Sequence, residues 1–406
     1  MRMTRALAIC SLVLTARTAE AVAGVDDGRH AFDGGLDQAL AVASTPLESW
    51  VEGGPGKLRF DESHDGLLVP RAFLDYRGRI TPTLQAYATV NANADGDAEI
   101  GVTEAYLEYR PVPRSPWQRR WRFGAFYPHV SLENAGAGWT SPYLSSSSAI
   151  NTWIGEEFRT IGAELSFSRA LRTDTPQRLG AQLAVYGAND VAGGLLALRG
   201  WAVHDRQTAL FENVSGIEPF HELDDRLGYY LGVDWRYGER ARLKAFHYDN
   251  LADPAAVAGG QFGWRTFFDA LGGQVELPWH VGLIAQWMAG TTIVGPWIDG
   301  ARAATDDFDA AFVLLTRSFD DHRASLRYDD FSLTLDDSTP ADNDLERGHA
   351  WTAGYSYAFT TRLGITAEWM RIETEHGGWM GDWLFHSARE SLARVDLRWR
   401  FGTGSR

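Results

Sequence analysis

The sequence has almost no cysteine and almost no lysine. Cys10 is the only cysteine among 406 residues, and Lys57 and Lys244 are the only lysines among 38 basic residues. Small exported domains often depend on disulfides, whereas this chain must rely on a large core or on extensive hydrogen bonding. Its formal net charge of −15 disfavours binding to nucleic acid, which depends on cations that neutralise phosphates. The cationic chemistry of the chain is therefore nearly all that of arginine.

Long apolar runs are also missing. A membrane-spanning helix needs about 20 apolar residues, and the longest uncharged stretch, residues 277–298, is interrupted by two prolines and several polar residues. The apolar stretch at residues 6–16 is shorter, follows a basic start and precedes an A-x-A pattern at residues 21–23. This arrangement is typical of a cleaved secretory signal peptide. We therefore predict that residues 1–23 direct export.

Apolar and polar residues alternate from about residue 57 to residue 401. For example, Leu84, Ala86, Ala88 and Val90 fall on one face of a predicted strand. Segments of roughly 9–11 residues have the length of a tilted membrane strand, whereas strands of soluble sandwiches are nearer five or six residues. Aromatic residues such as Trp121 often end the apolar face, where interfacial girdles lie in membrane barrels. The pattern predicts an all-β protein, a transmembrane antiparallel up-and-down β-barrel.

Short and long connections alternate along the predicted barrel. The short turns are at residues 172–176, 238–240 and 360–362. The long polar connections are at residues 131–157, 205–225, 250–263, 291–307, 334–348 and 373–390. Short periplasmic turns, long external loops and an even number of strands are usual in bacterial barrels. Counting segments predicts about 16 strands, within a range of 14–18.

Residues 24–56 have a different pattern from the rest of the chain. Leu36, Leu40 and Leu47 belong to a set of apolar residues at helical spacing. Residues 45–48 resemble a helix start, with a threonine cap, a proline at the first position and a glutamate at the third. We predict a short, partly helical periplasmic extension over 24–56, the barrel over 57–401 and a C-terminal tail over 402–406.

The last predicted strand has one apolar and one charged face. The apolar face consists of Ala393, Val395, Leu397, Trp399 and Phe401. Alternating apolar residues that end on a phenylalanine resemble the C-terminal assembly signal of bacterial outer-membrane proteins. The five residues that follow Phe401 depart from that signal, in which the phenylalanine is usually last. The resemblance implies recognition by the outer-membrane assembly machinery.

A second resemblance covers about 40 residues. A strand runs into a proline at 124–128, a Leu-Glu-Asn stretch follows at 132–134, and an acidic pair at 156–157 precedes the next strand. This order resembles the phosphate-selective porin O and P family, in which an early long loop folds inward and narrows the channel. The resemblance implies a constriction loop over 131–157, although an exposed loop would have the same sequence. The candidate constriction residues are Trp139, Tyr143, Trp153, Glu156 and Glu157.

The interior faces of the predicted strands carry many charges. The candidate pore-lining residues are Arg110, Arg122, Arg242, Lys244, Arg323, Arg327, Arg394, Arg398, Arg400, Glu104, Glu108 and Asp396. Charges on a lumen face tune ion selectivity, but salt bridges that fill a narrow barrel would give the same pattern. About 16 strands leave room for an aqueous channel. The porin O and P family uses ladders that include lysines, so the scarcity of lysine here leaves phosphate selectivity unassigned.

These features favour an outer-membrane porin for passive diffusion of small hydrophilic or anionic solutes. The alternatives are a structural or adhesion barrel with a filled lumen and, less favoured, a barrel-embedded hydrolase. No nucleophile elbow, zinc-protease motif or phosphate-binding glycine loop occurs in the sequence, so we expect no enzyme activity, metal or cofactor. The expected partners are outer-membrane lipid and lipopolysaccharide, the assembly machinery and further copies of the chain in a trimer, but no nucleic acid.

Overall fold

Sixteen strands form one closed antiparallel barrel, in which each strand pairs with its neighbours in sequence and the last pairs with the first. The structure is a computed structural model that describes residues 28–93, 100–171, 176–297, 302–337, 345–377, 379–380, 383–384 and 387–402. No helix in these ranges has the length and apolarity that a membrane crossing requires. The predicted fold class and strand number are confirmed.

The strands are numbered in chain order. The first eight are β1 (His30–Ser44), β2 (Gly66–Arg79), β3 (Leu84–Ala92), β4 (Ile100–Tyr109), β5 (Trp117–Phe126), β6 (Thr160–Ala170), β7 (Gln177–Gly187) and β8 (Gly228–Tyr237). The second eight are β9 (Ala241–Asp249), β10 (Trp264–Leu277), β11 (Val281–Val294), β12 (Ala304–Phe319), β13 (His322–Asp337), β14 (Leu345–Ala358), β15 (Leu363–His376) and β16 (Ser387–Gly402). Two-stranded hairpins join Val257–Ala258 to Gln261–Phe262 and Trp379–Met380 to Trp383–Leu384.

The predicted partly helical extension over 24–56 is wrong, because residues 30–44 form β1 of the barrel. Their apolar residues also fit a two-residue period, with Ala39, Ala41 and Ala43 buried inside and Leu40 and Val42 exposed outside. Pairing with both β2 and β16 decided between the two periods. The barrel accordingly extends from residue 30 to residue 402 rather than over 57–401. The predicted signal peptide and residues 403–406 of the predicted tail lie outside the described residues.

The two ends of the barrel differ as predicted. Connections of a few residues, such as 238–240 and 359–362, join strands at one end, which we call the turn end. Long connections emerge at the other end, the loop end. Three of them fold into the barrel and are named loop 1 (residues 45–65), loop 3 (127–159) and loop 4 (188–227). Loop 1 contains the 3-10 turn Trp50–Glu52. Loop 3 contains the 3-10 turn Ala137–Trp139 and helix α1 (Ala149–Glu157). Loop 4 contains helix α2 (Gly194–Arg199). A further 3-10 turn, Pro278–His280, lies at the turn end between β10 and β11.

The outward faces of the strands are apolar, as the alternation predicts. Phe123, Leu231 and Trp351 point outward and are close to half exposed. The inward faces are polar near the turn end, but on β10–β16 many inward residues towards the loop end are apolar and buried, for example Met288 and Phe312. Apolar residues therefore occur on both faces of these strands, because loops 1, 3 and 4 cover the inward face towards the loop end.

The seam between β1 and β16 closes the barrel. Gly34 pairs with Phe401 across it, and the Phe401 ring occupies the space that a Cβ at Gly34 would need. Thus the terminal aromatic residue of the predicted assembly signal packs against the first strand. A glycine in a strand often marks such a close approach.

We expect Gly34→Ala to displace the Phe401 ring and to lower the free energy of unfolding by about 1–3 kcal/mol, the usual cost of overpacking. Gly273→Ala is the matched control, because its Cβ meets closely only the tip of the flexible Leu243 side chain, and the Arg242 carbonyl oxygen lies at ordinary contact distance. That control should be neutral or slightly stabilising, since alanine lowers the entropy of the unfolded chain. Urea unfolding in lipid vesicles measures both, and equal stability of the two variants would contradict the packing argument.

Candidate functional site

The interior of the barrel has a packed part towards the loop end and an open vestibule towards the turn end. In the packed part, α1 of loop 3 begins at Ser148, whose hydroxyl accepts a hydrogen bond from the Asn151 backbone N–H at 3.3 Å. The Trp153 ring lies 4.8 Å from Phe308 of β12 and 5.5 Å from Trp201 of loop 4, in edge-to-face contacts. Loops 3 and 4 therefore share one apolar core with the inward wall of the barrel.

Arg327 of β13 anchors loop 3 by charge. Its guanidinium donates hydrogen bonds to Glu133 and Asp329, each at 2.6 Å. It also donates to the backbone carbonyls of Ser146 at 2.8 Å and Ser147 at 2.9 Å. The Arg327 side chain is fully buried. Such a group requires all its partners, because an unpaired buried charge is costly.

Two further contacts fix the serine-rich part of loop 3. Glu368 of β15 accepts hydrogen bonds from the backbone N–H groups of Ser145 at 2.6 Å and Ser146 at 3.1 Å. The Leu144 side chain fills the space above Gly354 of β14, where a Cβ would overlap it. An inward glycine on the wall thus provides the recess for a leucine of the loop.

Loop 4 depends on loop 3 through Glu157, the last residue of α1. Its carboxylate accepts hydrogen bonds from the N–H groups of Gly193 at 3.1 Å and Leu195 at 3.0 Å, at the start of α2. It also accepts one from Trp153 Nε1. Burial raises the pKa of Glu157 to about 7, against the opposing effect of these hydrogen bonds. The carboxylate caps α2 within an apolar surrounding.

Beyond α2, every residue from Gly200 to Leu210 is buried. Asp205 lies at the centre of this stretch, with Arg59 of loop 1 at 2.9 Å and Arg71 of β2 and Arg394 of β16 both at 3.3 Å. Burial alone would raise the pKa of Asp205, but the three guanidinium charges hold it well below its usual range. One carboxylate of loop 4 thus joins three cations from separate parts of the chain.

Loop 1 is attached in the same way. The Lys57 ammonium donates hydrogen bonds to Glu346 of β14 at 3.0 Å and to the backbone carbonyl of Arg199 at 2.6 Å. Burial lowers the pKa of Lys57, although Glu346 opposes this shift. Loops 1, 3 and 4 are therefore each tied to the barrel wall by a buried ion pair.

The vestibule is a cavity of about 1050 Å³ between β2 and β9 near the turn end. Its cationic lining residues are Arg110, Arg119, Arg120, Arg122, Arg178, Arg236, Arg242 and Lys244, and its acidic ones are Asp75, Glu104 and Asp234. Arg122 pairs with Glu164 at 2.7 Å, and Lys244 donates to the backbone carbonyl of His129 at 2.6 Å. In the described part of the chain, the buried Nε of Arg242 has no hydrogen-bond partner. The vestibule therefore carries an excess of positive charge.

The structure divides the predicted pore-lining residues into two groups. Those that line the vestibule are Arg110, Arg122, Arg242, Lys244 and Glu104, and Glu108 pairs with Arg110 there at 2.5 Å. The others hold loops or the seam. Arg327, Arg394 and Asp396 are buried in ion pairs. Arg398 donates a hydrogen bond to Ser145 Oγ at 3.0 Å, and Arg323 donates one to the Pro142 carbonyl. Arg400 pairs with Asp37 at 2.5 Å.

The predicted constriction residues all lie in loop 3, inside the barrel. Trp139 lines the vestibule and stacks on Tyr127 at 3.9 Å between ring centroids. Tyr143 packs against the apolar core. Trp153, Glu156 and Glu157 are buried in the packed part, where Glu156 faces His204 at 3.0 Å and pairs with Arg199. That this loop narrows a conducting channel stays a prediction.

Sequence reasoning missed the residues that hold loop 4. Asp205 and its partners Arg59 and Arg71 were not singled out, although they form the most highly charged contact of the packed part. Asp205 lies in a polar connection without a periodic pattern, and Arg59 precedes β2 by several residues. Nothing in the local sequence distinguishes them from solvated loop charges.

We expect Arg327→Ala to lower the free energy of unfolding by about 3–5 kcal/mol, because Glu133 and Asp329 would remain buried without their cation. Arg389→Ala is the control, since this exposed arginine pairs with Glu373 at 3.1 Å on the surface and should change stability by less than about 1 kcal/mol. Urea unfolding of the folded barrel measures both. A similar small effect of the two variants would show that Arg327 does not anchor loop 3.

No family model and no curated protein matches the sequence. The fold, however, is similar to solved outer-membrane barrels. The outer membrane channel DcaP of Acinetobacter baumannii is 12% identical with a TM-score of 0.55, over 93% of this chain and 99% of that one. An anion-selective porin from Comamonas acidovorans is 10% identical with a TM-score of 0.53, over 92% and 99%. OmpF of Salmonella typhi is 13% identical with a TM-score of 0.51, over 93% and 99%.

Identities this low establish a common fold and nothing finer. The resemblance to the phosphate-selective porin O and P family stays a prediction, because none of these three structures is described as one of its members. The chain has the closed 16-stranded antiparallel barrel fold of outer-membrane porins.

Proposed function

We propose that the protein is an outer-membrane porin through which small anionic solutes diffuse passively. The observation that carries the proposal is the vestibule, where eight cationic residues outnumber the acidic ones. Three acidic residues lie in the lining, and Glu108 and Glu164 pair with arginines of the lining. Charges of one sign in a cleft with low-dielectric walls focus the electric field and concentrate solutes of the opposite sign. The same excess of cations disfavours entering cations. One of the structures with a similar fold is an anion-selective porin, which agrees with this preference.

The packed loop end limits how wide such a channel is in this conformation. Loops 1, 3 and 4 bury the inward wall of β10–β16, including Ala310, Thr352 and Met370. We therefore propose that conductance in this state is small. The same packing favours a second candidate, a structural or adhesion barrel whose lumen is filled. Ion conductance separates the two candidates, because a filled barrel would conduct no ions.

We propose that residues 1–23 direct export and that the barrel is inserted in the outer membrane among lipid and lipopolysaccharide. We also propose that the assembly machinery recognises β16. The outward apolar faces support a lipid environment, and the pairing of Phe401 with Gly34 gives the last strand its partner. Assembly into trimers is proposed from the resemblance alone. Transport rather than catalysis is the proposed activity.

Single-channel recording in planar bilayers under a salt gradient tests the proposal. We expect a reversal potential of the sign that anion preference gives, and we expect Arg242→Glu to lower the anion-to-cation permeability ratio about two- to fivefold, as a reversed charge at short range predicts. Arg362→Gln is the control, because Arg362 is exposed at the turn end outside the vestibule. It should leave the ratio unchanged.

Two results would contradict the proposal in different ways. Folded protein that conducts no ions under any applied voltage would favour the filled barrel. If the protein conducts ions and Arg242→Glu leaves the permeability ratio unchanged, the proposed porin function stands. The proposed role of the vestibule in anion preference would then be wrong. Heat-modifiable migration on a gel establishes that each variant is folded before it is recorded.

A further inference from the structure

We propose that residues 202–210 of loop 4 form a movable plug, latched by the Asp205 carboxylate, and that release of this latch opens the loop end of the barrel. This inference rests on the proposed function in one respect, namely that the opened path would conduct solutes. Its movement is a property of the fold and is measured independently of conductance.

The plug is buried inside the barrel and forms neither a helix nor a strand. Its backbone joins parts of the chain that are far apart in sequence: Val203 N–H donates to the Lys57 carbonyl at 3.0 Å, and Leu210 N–H to the Val102 carbonyl at 2.9 Å. The His204 carbonyl accepts from Ser147 N–H at 3.1 Å. The plug therefore contacts loop 1, loop 3 and β4 at once, and its removal would separate them.

The plug differs from the rest of the packed part in chemistry. Most of its residues are polar, and its side-chain contacts are largely hydrogen bonds, such as that from Asn91 Nδ2 to Gln207 Oε1 at 2.6 Å. Water replaces such bonds at modest net cost, whereas withdrawing Trp153 or Trp201 would expose large apolar rings. Movement therefore costs less free energy for the plug than for α1 of loop 3.

Both ends of the plug suit a hinged movement. Trp201 precedes it and stays anchored, because its indole N–H donates to the Ser332 carbonyl at 2.8 Å and its ring lies in the apolar core. Phe211 follows the plug and is 94% exposed. The segment thus runs from a fixed aromatic residue to a solvated one.

The Asp205 latch joins the plug to three cationic residues from separate parts of the chain. Two of its three cationic partners also contact another carboxylate, since Arg394 pairs with Asp396 at 2.6 Å and Arg71 lies 3.6 Å from Asp37. Loss of the Asp205 charge would leave an excess of buried positive charge around the plug. That excess favours the state in which the plug has left and water has entered.

A buried thiol reports on the position of the plug. Thr208 is fully buried, and its hydroxyl has no hydrogen-bond partner among the described residues, so Thr208→Cys removes no hydrogen bond of that side chain. In a Cys10→Ser background this cysteine is the only thiol. A membrane-impermeant maleimide should label it slowly in otherwise unaltered protein in vesicles. Phe211→Cys, just outside the plug, should be labelled rapidly in every background.

We expect Asp205→Asn to speed labelling of Thr208→Cys by about 100-fold, because a buried ion cluster that loses one partner is strongly destabilised. The same substitution should raise the mean single-channel conductance. Asp234→Asn is the matched control, because this carboxylate pairs with Arg236 at 2.9 Å in the vestibule and does not contact the plug. It should leave the labelling rate unchanged.

Arg59→Gln is a milder second variant in case Asp205→Asn does not fold. It weakens the latch from the side of loop 1 and should also speed labelling. If Thr208→Cys is labelled at the same slow rate in every folded latch variant as in otherwise unaltered protein, the proposal of a movable plug is wrong. Fast labelling without any conductance would support the plug and reject the porin. Unaltered slow labelling with normal conductance in both latch variants would support the porin and reject the plug.

Discussion

The structure depends on the pairing of buried arginines with carboxylates between the barrel wall and the loops. Inside the barrel, a charged side chain of the wall that is shielded from water must be paired or hydrated. Arg327 and Arg394 satisfy this need with Glu133 of loop 3 and Asp205 of loop 4. The wall charges therefore determine where the loops lie, and the loops make those charges tolerable inside the barrel.

This pairing produces two different interiors in one barrel. Near the loop end the carboxylates of loops neutralise the wall, and apolar residues such as Trp153 and Phe308 fill the remaining space. Near the turn end loop 3 lines part of the space beside the wall between β2 and β9 but does not fill it, so the cations of that wall border an open cavity. The functional proposals follow this division: the vestibule selects by charge, and the packed part limits passage.

Arginine suits both the open vestibule and the buried ion pairs of the packed part, which gives a physical reason for the scarcity of lysine. A planar guanidinium can hold two carboxylates and two backbone carbonyls at once, as Arg327 does. Lys57, one of only two lysines, makes fewer contacts and has its pKa lowered by burial. A guanidinium keeps its charge when it is buried, so a network of arginines stays intact where ammonium groups would tend to lose theirs.

The sequence by itself determined most of the strands and the faces that point outward. Lipid-facing alternation is local, because each apolar residue of a strand such as β16 is constrained by its own position and its neighbours two residues away. It also placed charges such as Arg242 and Arg327 on inward faces. Only the tertiary structure decided that residues 30–44 pair as a strand, that Arg242 borders a cavity and that Arg327 is buried. Those outcomes depend on partners distant in sequence, β16 for the first strand and loops 3 and 4 for the charges, and no local pattern specifies such partners.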